Sequence, residues 1–201
     1  MNIIIVGCGT VGITLTEQLN KEGNNVTVID LSAEKLKAIG SQNDVLTVLG
    51  NGATFAAQRE AGIDKADLLI AVTDSDELNL LCCMVAKKTG NCQTIARLRN
   101  PDFSSEADFL KNELGLAMVI NPEYASAAEI SRVLRFPSAL RIDTFSKGRV
   151  ELLKFKLPEE SSLVGLSVRE IATVLHCDVL ICTVERGDEV FIANGDLVFC
   201  K

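Results

Sequence analysis

The sequence predicts an α/β protein, a doubly wound parallel sheet followed by a small α+β domain. Three observations carry this. Short aliphatic runs recur about every 20–25 residues, amphipathic stretches of helical length separate them, and the rhythm breaks after Phe136-Pro137. Alternation of this kind requires right-handed crossovers, which place helices on both faces of a parallel sheet.

The strand-like runs are 3–6, 26–29, 45–49, 68–72, 94–98 and 117–120. Helices are expected over 11–21, 34–39, 53–61, 77–88 and 106–114. A further helix, 123–135, follows the sixth strand and ends where the residue before a proline disfavours helix. Segments 140–145 and 150–155 then flank Ser146-Lys147-Gly148-Arg149 as a hairpin. A short helix over 167–174 opens with Ser167 and Glu170 in capping-box spacing. Three more strands are expected at 179–184, 189–192 and 197–199, and the last stops at Cys200-Lys201 with no closing element. The domains are therefore placed at 1–136 and 137–201.

The 201 residues are 47% apolar and 23% charged, enough to bury a core. Eight Phe, one Tyr and no Trp leave that core aliphatic, as parallel sheets favour. The net charge of −7 is spread over both halves, which argues against nucleic acid as a partner. Seven cysteines lie at 8, 82, 83, 92, 177, 182 and 200, without a CxxC pair. Cys82, Cys83, Cys177 and Cys182 read as small core hydrophobes, and the set suits a reducing cytoplasm. The N-terminus lacks the basic start of a signal peptide, and no run approaches the ~18 residues of a membrane span. A soluble chain is expected, linked to any membrane through a partner.

Gly7-Cys8-Gly9-Thr10-Val11-Gly12 is GxGxxG between the first strand and first helix. Gly7 permits the tight turn, Gly9 lets backbone approach a pyrophosphate, and Gly12 lets the helix pack closely on the strand. The helix N-terminus adds amide N–H groups and a positive dipole end. Asp30, 18 residues beyond Gly12 at the end of the second strand, suits both ribose hydroxyls and repels a 2′-phosphate. Together they predict a Rossmann-like site for an adenine nucleotide, NAD-type over NADP-type.

Other strand ends lead to the same crevice. Gly50-Asn51-Gly52 brings backbone, at Asn51 and Gly52, close to the adenine side. Thr73 and Asp74 lie opposite the glycine turn, although Asp74 and Glu77 also fit a helix cap. Arg97 ends the fifth strand as a lone cation and is expected to read ligand phosphate rather than to stabilise the fold, with a salt bridge as the alternative. The one histidine, His176, is far along the chain, and Tyr124 has Ala128, not lysine, four residues on. No cluster has metal-ligand spacing, so a catalytic or metal site is not expected.

These residues carry a resemblance. The glycine string 7–12, Asp30, the run Ala71-Val72-Thr73-Asp74-Ser75-Asp76-Glu77-x-Asn79 and the run Ile95-Ala96-Arg97-x-Arg99-Asn100-Pro101 resemble the RCK (regulator of K⁺ conductance) nucleotide-binding domain family. Within it they are similar to the regulatory subunits of bacterial Trk potassium-uptake systems. Leu163-x-Gly165 and the stretch from Val184 through Arg186, Glu189, Phe191-Ile192 to Gly195-Asp196 resemble the companion RCK C-terminal domain. Ala193 stands where that family often has proline. A further glycine-aspartate turn and closing strand, usual in that domain, are expected beyond Lys201, in a longer or tandem protein.

The resemblance implies nucleotide contacts at Gly7, Cys8, Gly9, Thr10, Val11, Asp30, Thr73, Asp74 and Arg97, with NAD(H) or ATP/ADP as the regulatory ligand. It also implies a homo-oligomer, a dimer assembling into a tetramer or ring, that gates a Trk- or Ktr-type membrane potassium transporter. Such a subunit is not an enzyme and sits in the cytoplasm against the inner face of the membrane. The competing readings are an NAD-dependent dehydrogenase fragment lacking its substrate domain, and a redox sensor using Cys8. The helix 123–135 carries Tyr124, Ala127, Ile130, Val133 and Leu134 at helical spacing, which suits packing against a second subunit or against its own domain.

Overall fold

In the computed structural model, residues 1–146, 148–175 and 179–200 are described. Six parallel strands, β1 (Asn2–Val6), β2 (Asn25–Asp30), β3 (Leu46–Leu49), β4 (Leu68–Ala71), β5 (Gln93–Arg97) and β6 (Met118–Ile120), form one sheet. Their order is β3-β2-β1-β4-β5-β6, so the sheet is doubly wound and reverses direction between β1 and β4. In-register pairing runs from Ile3 opposite Val26 and Leu68 to Val6 opposite Ile29 and Ala71.

Strand alternation sorts the core onto two faces. Ile3, Ile5, Val26, Val28 and Ile70 pack against α1 (Thr10–Lys21) and α2 (Ala33–Gln42). Ile4, Val6, Ile29, Leu69 and Ala96 pack against α3 (Phe55–Glu60), a 3-10 turn at Ile63–Lys65 and α4 (Asp76–Thr89). Because β1 is buried on both faces, it reads as a continuous aliphatic run. A short helix that the periodicity does not reveal, α5 (Pro101–Ser105), precedes α6 (Ala107–Leu114), and α7 is Pro122–Arg135.

The cysteines divide. Cys82 and Cys83 are fully buried in α4, and burial pushes the Cys82 thiol up to about 12 and that of Cys83 higher still. Cys182 is exposed, contrary to the core role expected for it, because the segment before Thr183 joins no sheet. Cys177, His176 and Lys147 lie outside the described residues.

Contacts divide the chain into two units, Met1–Glu129 and Ile130–Lys201, with the division falling inside α7. The second unit begins with an antiparallel hairpin, β7 (Ala139–Phe145) and β8 (Val150–Phe155), turning through Ser146 and Gly148 at positive φ. Helix α8 (Val168–Leu175) follows, and Glu170 accepts hydrogen bonds from the Ser167 N–H (2.8 Å) and hydroxyl (2.6 Å). A second hairpin joins β9 (Thr183–Arg186) to β10 (Glu189–Ile192). Two expected strands are corrected here. The run 179–184 is a strand only from Thr183, and 197–199 forms a single bridge, Ser167 to Val198. The backbone of 197–199 is instead taken up by the turn before α8, with Gly165 N–H donating to Phe199 (2.7 Å) and Phe199 N–H to Leu166 (2.9 Å).

Candidate functional site

At the strand-order reversal, the ends of β1, β2, β3 and β4 surround a cleft of about 370 Å³. Open parallel sheets offer ligands this place because the loops leaving neighbouring strands diverge there. Its walls include Gly7, Cys8 and Gly9 from the first loop, Asp30 from the second, Asn51 and Gly52 from the third, and Thr73 and Asp74 from the fourth. Four separate segments of the predicted site thus meet around one space. Thr10, Val11, Gly12 and Arg97 do not line it.

Each glycine of the turn has a distinct duty. Gly7 has φ +106°, and a Cβ there would come within 2.9 Å of the Thr73 nitrogen. Gly12 has its Cα against the turn, where a Cβ would lie 1.9 Å from the Gly7 carbonyl oxygen. Gly9 faces open space, so a side chain there would occupy the room a phosphate group needs. Helix α1 starts at this point with no side-chain cap and no acid in its first turn. Helices α2, α3 and α4 are capped by Ser32, Thr54 and Ser75. The α1 N-terminus therefore offers its amides and dipole to an anion, and the residues present fit a nucleotide pyrophosphate.

Asp30 is already engaged. One carboxylate oxygen accepts the Cys8 N–H at 2.6 Å and the other the Ser32 N–H at 2.8 Å. An ionised carboxylate has about four acceptor positions, so two remain for the ribose hydroxyls. The Cys8 thiol lies 3.9 Å from the Lys35 carbonyl, and burial, then the Asp30 charge, raise its pKa. A thiol shifted in that direction is a poorer nucleophile, which counts against a redox role for Cys8.

Across the cleft, Ser75 caps α4 by accepting the Leu78 N–H (3.1 Å) and donates to Glu77 (2.8 Å), so the alternative of a cap at Asp74 does not hold. Asp76 is buried and accepts the N–H groups of Arg99 (2.8 Å) and Asn100 (2.7 Å), fixing the loop after β5. The Arg99 guanidinium donates to the Asp74 carbonyl. Arg97 is buried and pairs with Glu123 in the first turn of α7. The salt-bridge alternative is the one the geometry supports, with an acid 26 residues away that sequence spacing did not single out. Burial, the largest single influence, opposes the charge on Glu123, but the hydrogen bond from Arg97, a backbone hydrogen bond and the charges of Arg97 and Arg99 together outweigh it and leave the carboxyl below its usual range.

Three contributors went unseen in the sequence. Lys35 and Leu31 line the cleft beside Asp30. Gln58, fully buried, donates to the Gly52 carbonyl (2.7 Å) and the Cys82 carbonyl (2.9 Å), holding the third loop against α4. Nothing in the sequence marked it, since it follows Ala57 on a short helix whose Phe55 and Ala56 are exposed.

Residues 3–122 match the TrkA-N domain family. The chain belongs to that family. Among its curated relatives, the Trk system potassium uptake protein trkA homolog 1 of Methanosarcina mazei is 35% identical over 98% of this chain and 49% of its own length. The Trk system potassium uptake protein TrkA of Haemophilus influenzae is 32% identical over 98% of this chain and 44% of its own. The chain thus spans about half the length of the curated relatives it matches. Among solved structures, the TrkA-N domain of the inner membrane protein YbaL from Escherichia coli superimposes with TM-score 0.59 at 24% identity, covering 66% of this chain and 96% of that one. The GsuK channel bound to NAD gives TM-score 0.61 at 16% identity, covering 99% of this chain and 35% of the channel. At these identities the TrkA-N chain shares a fold with both.

Proposed function

We propose that this chain is a nucleotide-binding regulatory module of a potassium-uptake system. It takes NAD(H) or ATP/ADP in the β1–β4 cleft, and occupancy controls a membrane potassium transporter. The observation that carries this is the convergence of the Gly7 turn, the uncapped α1, Asp30 and the Thr73–Asp74 loop on one space. The names of the relatives supply potassium uptake, and the NAD and ADP in GsuK structures support the ligand class. In this reading the amides of residues 9–11 at the start of α1 face phosphate, Asp30 holds the ribose, Asn51 and Gly52 flank adenine, and Thr73 and Asp74 close the opposite wall. Arg97 holds α7 rather than ligand.

The same proposal assigns 1–136 to the nucleotide-binding domain and 137–201 to an RCK C-terminal domain, in a homo-oligomer docked on the cytoplasmic face of its transporter. No helix among the described residues is long and apolar enough to cross a membrane, which fits attachment through a partner. Control requires only that nucleotide bind one arrangement of the assembly better than another, by a few kcal/mol. In this proposal the module is regulatory and not catalytic, a reading that the names of its relatives support. Calorimetric titration checks the ligand, with NAD(H) or ATP/ADP expected to bind more tightly than NADP(H). Equal or tighter NADPH binding removes the role given to Asp30. Turnover of NADH would restore the dehydrogenase reading.

A further inference from the structure

The polar residue that holds the cleft together does not line it. Asn79, in the second turn of α4, has 0% of its surface exposed and lies behind the β4–α4 loop. Its Oδ1 accepts both the Thr73 N–H (2.8 Å) and the Thr73 hydroxyl (2.7 Å). Its Nδ2 donates to the Arg97 carbonyl (2.9 Å) and the Thr73 carbonyl (3.3 Å). Two donors and two acceptor positions are all used, and the identities of the partners fix which end of the amide is which. One buried side chain therefore joins the ends of β4 and β5 and dictates the orientation of Thr73.

Thr73 in turn sits against the glycine turn, since its nitrogen lies 2.9 Å from where a Gly7 Cβ would be. Its hydroxyl lies closest to Asn79 Oδ1 (2.7 Å), with the Ser75 carbonyl at 3.2 Å, and accepts the Ser75 N–H (3.4 Å), so it is engaged within the loop. Helix packing does not call for an asparagine here. The neighbouring core positions of α4 are Cys82, Cys83 and Ala86, and an amide buried among them is tolerated because every one of its hydrogen bonds is made.

We propose that Asn79 is the positioning residue of the nucleotide cleft. It fixes Thr73 against Gly7 from behind and so sets the spacing of the two opposing ligand walls without touching the ligand. The inference rests on the nucleotide-binding reading given above.

The test compares affinity with stability in three variants, using NADH and ADP as probes in calorimetry and chemical denaturation of the ligand-free chain. Asn79→Ala removes all four bonds and is expected to weaken binding by about tenfold or more. Asn79→Asp keeps the acceptor for Thr73 but loses both donors and buries a charge. It is expected to be the less stable of the two and yet to bind better than Asn79→Ala. Ala86→Gly weakens the same helix in the core and is expected to leave affinity within about twofold. Opposite orders of stability and affinity support positioning. Affinity that merely follows stability through all three variants, or Asn79→Ala binding like the parent chain, overturns it. A parent chain that binds neither NADH nor ADP overturns the nucleotide-binding reading itself, and this inference with it.

Discussion

In the first unit, Ile3, Ile4, Ile5 and Val6 all disappear into one face or the other of the sheet, whereas the hairpin of the second keeps Leu140, Phe145, Val150, Leu152 and Phe155 exposed. Further along the second unit, Leu180 is 88% exposed and Ile192 85%. The apolar side chain buried there among the described residues is Ile171. A six-stranded sheet covered by helices on both faces satisfies itself. A pair of two-stranded hairpins with one short helix cannot, because a hairpin needs a third layer to bury its apolar face. The first unit is thus organised around an internal core with a cleft at its rim. The second is organised around surfaces whose apolar residues have value only once something covers them, which in the proposed function is another copy of the chain.

That contrast is broken most easily in the first unit. Leu69→Ala, at a fully buried site, is expected to cost about 3–5 kcal/mol in urea unfolding. Ile192→Ala in the second unit is expected to change unfolding by less than about 0.5 kcal/mol. It should instead weaken self-association measured by light scattering. Equal losses of stability at the two sites would erase the distinction.

Gly12→Ala comes next. Its Cβ would meet the Gly7 carbonyl, a backbone atom that cannot turn aside, so about 1–3 kcal/mol of stability and most nucleotide binding should be lost together. A protein that keeps its affinity would show that α1 can withdraw from the turn.

Arg97→Ala separates scaffold from site. It leaves Glu123 without its partner, but that carboxylate is half exposed, so about 1 kcal/mol of apo stability is expected to go, with affinity unchanged. The pair should also set a pH dependence. Glu123 has a depressed pKa in the folded state, so its contribution is complete above the unfolded carboxylate range and fades as pH falls through the folded value. Glu123→Gln should remove that acid-side loss while leaving stability near pH 7 lower. A large loss of affinity in Arg97→Ala would return Arg97 to the cleft.

The smallest effect belongs to Ser32→Ala. The hydroxyl accepts the Lys35 N–H at 3.3 Å, a long cap, so about 0.5 kcal/mol is expected from thermal unfolding.

What the sequence disclosed follows from the range of the interactions involved. The six parallel strands were legible because each is a local aliphatic run, and the glycine turn because its duties fall within six residues. Asp30 was legible through its position at a strand end. The Arg97–Glu123 pair was not, because it joins the end of β5 to α7, and either charge alone has many partners within reach. Asn79 stood inside a recognisable run, but its role depends on Thr73 and Arg97 arriving from two different strand ends. Gln58 gave no cue at all. In the second unit, 179–182 and 197–199 have the composition of strands, yet the former lies outside any strand and the backbone of the latter is taken up by the turn before α8. Burial of a sheet face settles such choices in the first unit; with few faces buried in the second, strand propensity was left to mislead.

The double grip of Asp30 on Cys8 and Ser32 has a kinetic meaning. The carboxylate proposed to meet the ribose is held in place before any ligand arrives, by N–H groups from the two loops that frame it. Little ordering remains to be done at that wall on encounter, so the entropic loss of association is reduced there. Arrival should therefore follow a single exponential whose rate rises linearly with nucleotide concentration, and differences among adenine nucleotides should appear in how long each one stays.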